Sequence, residues 1–485
     1  MIIIFFKILI VTALIVSGAT SCKEAPTVTD VAVNPATVTV TKGFQQSFTA
    51  TVTGTNDPAQ TVTWSIVEAN KNAATTIDSE GMLTISAVES LKLLMVRASS
   101  TLDKTKSGRS TVTIIDVAEP DPEPDPDPLS KNALQYFKDE GLMAGWNLGN
   151  TLDAVNTWSS PGNPFSEETA WGNPKATQAL FDGVKSQGFN IVRIPVTWIG
   201  HIGPAPGYLV DETRLSRVAE VVSYANNAGL KAIINIHHDD SNEFGWLLIK
   251  EASNNTSANA QITAKFEKLW TQIAEYFKDY GEWLMFESMN EIHDGEWGWS
   301  SDFRNNPQKQ FAILNNWNQV FTNAIRATGG KNERRYLIIP SYVTNPEQTL
   351  SERFILPKDK FSGKLVVTFH YYDPFDFAHG NTPNWGSQLE KDAVDNLFER
   401  FKKKFFDNNI PVIIGETGPI NHNTETGKQS RIAYITHVYG KAREKGIVPV
   451  YWDDGGNFGM INRNTGQPED EHSAASCKAM IQTTK

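Results

Sequence analysis

The chain has 485 residues, 40% of them hydrophobic and 20% charged, with a formal net charge of -11. That length exceeds one ordinary core and predicts two or more domains of globular, not disordered, character. The acidic balance argues against nucleic acid as a partner, because phosphate binding needs a basic surface.

Met1 to Val16 is almost wholly apolar, interrupted by Lys7, and runs into Ser17-Gly18-Ala19-Thr20-Ser21-Cys22. This reads as a bacterial signal peptide over residues 1–21, with an apolar stretch too short for a comfortable membrane span. Small residues directly before a cysteine resemble a lipoprotein cleavage site, which makes Cys22 the expected lipid attachment point; Ala19 stands where leucine is usual. Secretion with an incidental Cys22 is the alternative. The expected location is beyond the inner membrane, anchored by lipid in the outer membrane or at the cell surface. No later segment is apolar enough to cross a membrane. The other cysteine, Cys477, lies near the far end, so no disulfide framework is expected.

Residues 22–117 read as all-β. Val31–Val33, Thr37–Val40, Ser47–Val52, Thr61–Ile66, Leu94–Ala98 and Ser110–Ile115 alternate with period two between turn-rich gaps. Short strands at this spacing predict a sandwich. The segment resembles bacterial Ig-like domains through Val33-Asn34-Pro35, Val62-Thr63-Trp64 and Asp78-Ser79-Glu80-Gly81-Met82-Leu83-Thr84. That resemblance implies a spacer. Residues 118–130 form a linker, in which the alternating Pro and acidic residues of Glu119 to Pro128 block helix and sheet and extend the chain. Successive carboxylates point apart in such a segment, so it does not read as a calcium site.

From residue 131 to 485, strands alternate with amphipathic stretches such as Leu215–Val222 and Phe266–Trp270. Candidate strands end near Asn147, Pro195, His237, Asn290, Ser341, His370, Glu416 and Trp452. The expected fold is α/β: a (β/α)8 TIM barrel preceded by the small all-β Ig-like sandwich. The rival, a doubly wound open sheet, would need a Gly-rich phosphate turn to bind a nucleotide, and Gly145-Trp146-Asn147-Leu148-Gly149-Asn150 lacks the spacing.

Barrel strands deliver functional residues at their C-terminal ends. Glu291 and Glu416 both close apolar strand-like runs, and two opposed carboxyls can cleave a glycosidic bond, one as a proton donor and one as an anion. Arg193 and Tyr372 are possible partners of Glu416. A guanidinium lowers a carboxyl pKa and a phenol donates to the anion, which makes Glu416 the better nucleophile and Glu291 the better acid/base. Of 13 tryptophans, Trp158, Trp171, Trp198, Trp246, Trp297, Trp299, Trp385 and Trp452 fall at or after strand ends. They read either as platforms for sugar rings or as core.

The order of motifs then resembles glycoside hydrolase family five, retaining enzymes on (β/α)8 barrels. The matching runs are Gly145 to Asp153, Glu168 to Pro174, Gly188 to Trp198, Ile234-Asn235-Ile236-His237-His238, Met289-Asn290-Glu291, His370-Tyr371-Tyr372, Gly415-Glu416 and Tyr451-Trp452. The resemblance implies Glu291 as acid/base and Glu416 as nucleophile. It also implies a cleavage subsite lined by Arg193, His237, Asn290, His370, Tyr372 and Trp452, and Asn147, Trp171 and His238 are further candidates for substrate binding. Ile292 stands where the family commonly has proline, so the loop from Ile292 to Ser301 is expected to run differently. Glu168 to Pro174 and Tyr372 to Phe377 most resemble an endoglucanase subfamily that includes many xyloglucanases.

His237, His238, Asp239 and Asp240 invite a metal reading, but the first strand carries no histidine to complete a barrel metal site. His293 and Asp294 read as solvated loop residues. The expected activity is endo-acting, retaining hydrolysis of β-1,4-glucan backbones (cellulose-type, mixed-linkage or xyloglucan) by a monomer, with no metal or cofactor and with the polysaccharide as partner. The membrane is met only through lipid. A xyloglucan-specific enzyme is the rival within the class. A non-catalytic surface glycan-binding protein is the rival outside it, and two opposed carboxyls argue against that.

Overall fold

Eight short apolar runs close into one barrel. In the computed structural model, which describes residues 25–86, 88–115, 131–158 and 163–482, they are β1 Gly145–Asn147, β2 Ile191–Ile194, β3 Lys231–Ile234, β4 Leu284–Glu287, β5 Leu337–Pro340, β6 Leu365–Tyr371, β7 Val412–Thr417 and β8 Ile447–Tyr451. Each pairs in parallel with the next, and β8 returns to β1 through Gly145↔Val450 and Trp146↔Tyr451.

The main helix after each strand is α1 Gln178–Ser186, α2 Glu212–Asn227, α3 Thr256–Tyr276, α4 Pro307–Ala327, α5 Pro346–Leu350, α6 Gln388–Lys404, α7 Glu425–Glu444 and α8 Glu471–Gln482. Polar side chains start several of them by accepting orphan backbone N–H groups: Thr177, Asp211, Asn255, Thr424, and Ser387 in a capping box with Glu390.

Strand alternation sorts the core into two layers. Ile191, Ile233, Met285, Ile338, Val366, Ile413 and Val448 face inward. They pack on Ala133, Tyr136 and Phe137 of a helix, Ala133–Asp139, that precedes β1. Val192, Ile234, Phe286, Val367, Phe369 and Ile414 face outward, against helix residues such as Phe181, Val218, Trp270, Phe321 and Phe398. Each such side chain, fully buried, contributes about 1.5–3 kcal/mol.

Asn147, Arg193, Glu287, Thr368 and their neighbours form a polar layer above the inner one, and one of these neighbours depends on a break in the alternation. Phe369 pairs with Ile414 and His370 with Glu416, so Gly415 is an extra residue in β7. Ile414 lies in the outer layer; regular alternation would send Glu416 the same way. The bulge turns it toward the barrel axis instead.

The chain divides into two compact units, Met1–Glu119 and Pro120–Lys485. The described residues of the first are all-β, with a four-stranded sheet, a three-stranded sheet and a two-stranded sheet around Val31, Val33, Phe48, Val52, Leu83, Val96 and Val112. The expected single strand Ser47–Val52 is instead two. Gln45–Ser47 pairs with Met82–Thr84 and Thr49–Thr55 with Thr27–Asn34, the chain changing sheets at the buried Phe48. Among the described residues no helix is long and apolar enough to cross a membrane. The expected signal peptide over residues 1–21, the expected lipid attachment point Cys22 and the expected linker over 118–130 lie outside the described residues.

Candidate active site

The C-terminal ends of the strands build a polar layer around one buried cation. Arg193, on β2, has no exposed surface. Its Nε and Nη2 lie 2.8 and 2.7 Å from Glu287 Oε2. Nη1 donates to Glu416 Oε1 at 2.8 Å and Asn147 Oδ1 at 3.1 Å, and Nη2 donates to Asn290 Oδ1 at 2.8 Å. Burial disfavours its charge, but Glu287 and Glu416 outweigh that and hold the guanidinium above its ordinary pKa. Asn147 in turn donates to the carbonyls of Gly415 and Tyr451, tying β1 to β7 and β8.

Glu416 and Glu291 approach from β7 and the end of β4. One oxygen of each and a His370 ring nitrogen all lie within 4.8 Å of one another. Glu416 accepts from Tyr372 Oη at 3.0 Å as well as from Arg193. Glu291 Oε1 lies 2.6 Å from His370 Nδ1. Gly415 makes this fit possible, because a Cβ there would sit 2.7 Å from Thr368 Oγ1 and 3.0 Å from His370 Nε2.

The expected partners of Glu416 are therefore present, but the expected sign of its shift is not. Burial pushes the Glu416 carboxyl above its ordinary range; Arg193 pulls it back and the nearby Glu291 adds to the rise. Burial raises Glu291 too, against His293 and Arg193. Burial takes the His370 imidazole down to about 4, so it is neutral near pH 7, and takes the Tyr372 phenol well above its ordinary value, so it remains a donor.

His237, held neutral by burial, stacks on Trp452 with centroids 5.9 Å apart and planes within 5°, and its Nε2 lies 4.0 Å from Glu416. Gly149 leaves room for the Trp452 ring, which a Cβ would meet at 2.9 Å. His238 lies beside His237, with Asp153 3.7 Å from its Nε2 and Trp171 5.3 Å from its ring. Despite burial, Asp153 and Asp240 raise its pKa.

All nine candidate lining residues thus meet around the two carboxyls or flank them. Asp239 is committed elsewhere, accepting from Trp198 N at 2.9 Å and Trp246 Nε1 at 2.6 Å. Asp294 is buried rather than solvated: its Oδ1 accepts from Glu296 N and Gly298 N, shaping the loop after Glu291. His293 stacks on Trp297 at 4.2 Å. The tryptophans divide. Trp198 and Trp385 are core, while Trp158, Trp171, Trp297 and Trp299 are exposed.

Two residues were missed. Glu287 and Asn235 stand in the inward register, each following an inner-layer residue, Met285 and Ile233, by one alternation. The same period that located the strands could have identified them.

A closed parallel barrel bearing two buried-site carboxyls, a cation and stacked aromatics at its strand ends defines a glycoside-hydrolase class of protein. The model of the family "Cellulase (glycosyl hydrolase family 5)" matches residues 153–457. The chain is 37% identical over 334 residues to Endoglucanase B of Clostridium cellulovorans, covering 66% of this chain and 70% of that one. It is 34% identical over 360 residues to a xyloglucan-specific endo-beta-1,4-glucanase of Bacteroides ovatus, covering 70% and 68%. Among solved structures, a broad-specificity endoglucanase from Bacteroides salanitronis superposes with a TM-score of 0.67 at 44% identity, over 70% of this chain and 93% of the other. A family 5 xyloglucanase from Paenibacillus pabuli gives 0.64 at 35% identity, over 71% and 99%. The chain belongs to glycosyl hydrolase family 5.

Proposed function

We propose that the protein is an endo-acting β-1,4-glucanase that cleaves with retention, Glu416 as nucleophile and Glu291 as acid/base. The carrying observation is that an oxygen of each lies within 4.8 Å of an oxygen of the other, in keeping with the roughly 5 Å separation of retaining pairs rather than the roughly 6.5–9.5 Å of inverting ones. Glu416 attacks the anomeric carbon as Glu291 gives its proton to the departing glycosidic oxygen. Glu291, now anionic, takes a proton from water, whose oxygen attacks the same carbon and frees Glu416. Trp452 and Trp171 offer apolar faces to sugar rings, and Asn290, His237 and His238 offer polar contacts to hydroxyls.

The glucan reading draws on relatives named as endoglucanases and a xyloglucan-specific endoglucanase and on related structures described with cellotriose. The test is reducing-sugar release and viscosity loss on carboxymethyl cellulose, mixed-linkage glucan, xyloglucan, mannan and xylan, with NMR of the first-formed anomer. Rapid viscosity loss on β-glucans with β-anomer product is expected. Activity confined to mannan or xylan, or α-anomer product, sinks the reading.

The N-terminal unit fits an Ig-like spacer, and the signal-peptide pattern before Cys22 supports export and lipid attachment at the cell surface. Cys22→Ala should release the protein from the membrane fraction at unchanged specific activity. Equal membrane association of both forms would make Cys22 incidental.

A further inference from the structure

Glu287 is used by none of the chemistry above, yet it is 1% exposed at the centre of the polar layer. Its Oε2 alone takes three donors: Arg193 Nε at 2.8 Å, Arg193 Nη2 at 2.7 Å and Asn235 Nδ2 at 2.9 Å. Asn235 is itself fixed, its Oδ1 accepting from Val196 N at 3.1 Å. One buried cation thus stands between two carboxylates, and only one of them, Glu416, is placed to meet substrate.

We infer that Glu287 is a positioning residue, a permanent counter-charge to Arg193 that keeps the guanidinium oriented and neutralised while the charge of Glu416 comes and goes. The inference rests on Glu416 being the nucleophile. When Glu416 bonds to the anomeric carbon, its negative charge is consumed in the ester. Without Glu287, Arg193 would then be an unpaired buried cation, a species strongly disfavoured in a protein interior. In the free enzyme the effect runs the other way. With Glu287 present, Arg193 gives Glu416 only part of its charge, which leaves the carboxylate basic enough to attack.

The groups facing Glu416 are Arg193 from β2, His237 at 4.0 Å after β3, Glu291 after β4, and His370 at 3.7 Å and Tyr372 at 3.0 Å from β6 and its end. His237, His370 and Tyr372 stay neutral through the working range, while His238 bears on Glu416 and Asp240 on Glu291; both remain in the variants below, so a shift on replacing Glu287 reports the Glu291–Glu416 pair as a unit.

Glu287→Gln keeps the shape and removes the charge. Arg193 then bears on Glu416 alone, and the acid limb should move down by about one pH unit with kcat/KM falling at least about tenfold. Glu287→Asp keeps the charge and should leave the limb in place. A folded E287Q whose limb does not move overturns the inference, because a merely structural carboxylate would cost activity without shifting the profile. If E287Q fails to fold, the paired variant R193Q/E287Q decides: recovery of a folded protein supports the counter-charge, because no unpaired buried cation then remains, and a double variant that stays unfolded sinks it. Trapping wild type with a 2-deoxy-2-fluoro cellobioside and locating the label by peptide mass tests the nucleophile separately. A label on any residue but Glu416 removes the basis; a label on Glu416 with an unmoved limb in E287Q removes the inference alone.

Discussion

Glu416 faces His370 across the β6–β7 ladder only because Gly415 is one residue too many. The bulge reverses the parity of β7, and the same glycine lies against the imidazole, where a Cβ would stand 3.0 Å from Nε2 and 2.7 Å from Thr368 Oγ1. Gly415→Ala should therefore damage the site more than the fold. A loss of about 1–3 kcal/mol is expected from overpacking, together with a fall in kcat larger than any rise in KM, as His370 and Glu416 are pushed off position. Thermal melts and steady-state kinetics check this; an Ala variant with wild-type kcat would mean that the bulge tolerates a side chain and that the close approach is incidental.

Glu416→Gln should leave the fold intact and abolish hydrolysis, since an amide cannot form the glycosyl ester. Glu291→Gln should cut glucan hydrolysis by about 10²- to 10⁴-fold, the usual worth of a general acid/base. It should be far milder for aryl cellobiosides with acidic phenol leaving groups, which depart without a proton. A Brønsted series on both variants measures it. If Glu416→Gln, and not Glu291→Gln, were the variant spared by good leaving groups, the two roles would be exchanged.

How much of this was open to the sequence depends on what kind of order produced it. The barrel came from period and apolarity, and these are local. Candidate ends at Asn147, His370 and Glu416 fall within β1, β6 and β7, while His237 and Asn290 lie just beyond β3 and β4. The meeting of Arg193, Tyr372 and Glu416 followed from strand ends sharing one face of a barrel. What escaped is non-local. The bulge at Gly415 is a relation between β6 and β7, and alternation alone would have turned Glu416 away from the site. The raised pKa of Glu416 depends on burial and on the nearby Glu291. The break at Phe48 depends on which strands its neighbours pair with, not on its own β-forming character.

Asp240 is a buried carboxyl whose Oδ2 has no hydrogen-bond partner. Burial pushes its pKa up to about 7, with Glu291 adding to the rise and His238 opposing it. The unfolded chain ionises this group near 3.8 while the folded chain keeps it protonated. Between those values the unfolded state holds fewer protons, so this group's contribution to stability is full below pH 3.8 and is lost as pH rises through 7. Asp240→Asn should remove that dependence. The melting temperature of the variant relative to wild type should rise steadily from pH 4 to pH 7 and then level off. Parallel melts across that range test it; a difference that stays flat would mean that Asp240 ionises freely in the folded protein.

His370 gives the opposite sign and a direct spectroscopic test. Burial lowers its pKa from 6.5 to about 4. The folded protein therefore carries a neutral ring where the unfolded chain takes up a proton, so its contribution to stability is full above pH 6.5 and is lost as pH falls toward 4. A neutral ring suits its contact with Glu291 at 2.6 Å. Nδ1 accepts from the carboxylic acid in one neutral tautomer and donates to the carboxylate in the other, so an uncharged ring is compatible with either state of Glu291. Nitrogen-15 shifts of His370 should show a neutral imidazole from pH 5 to 8, and His370→Ala should lower kcat while the acid limb stays where it is. A ring that titrates near 6.5, or an acid limb that moves with its removal, would make His370 the protonated partner in the resting enzyme and would overturn this account of how Glu291 is held.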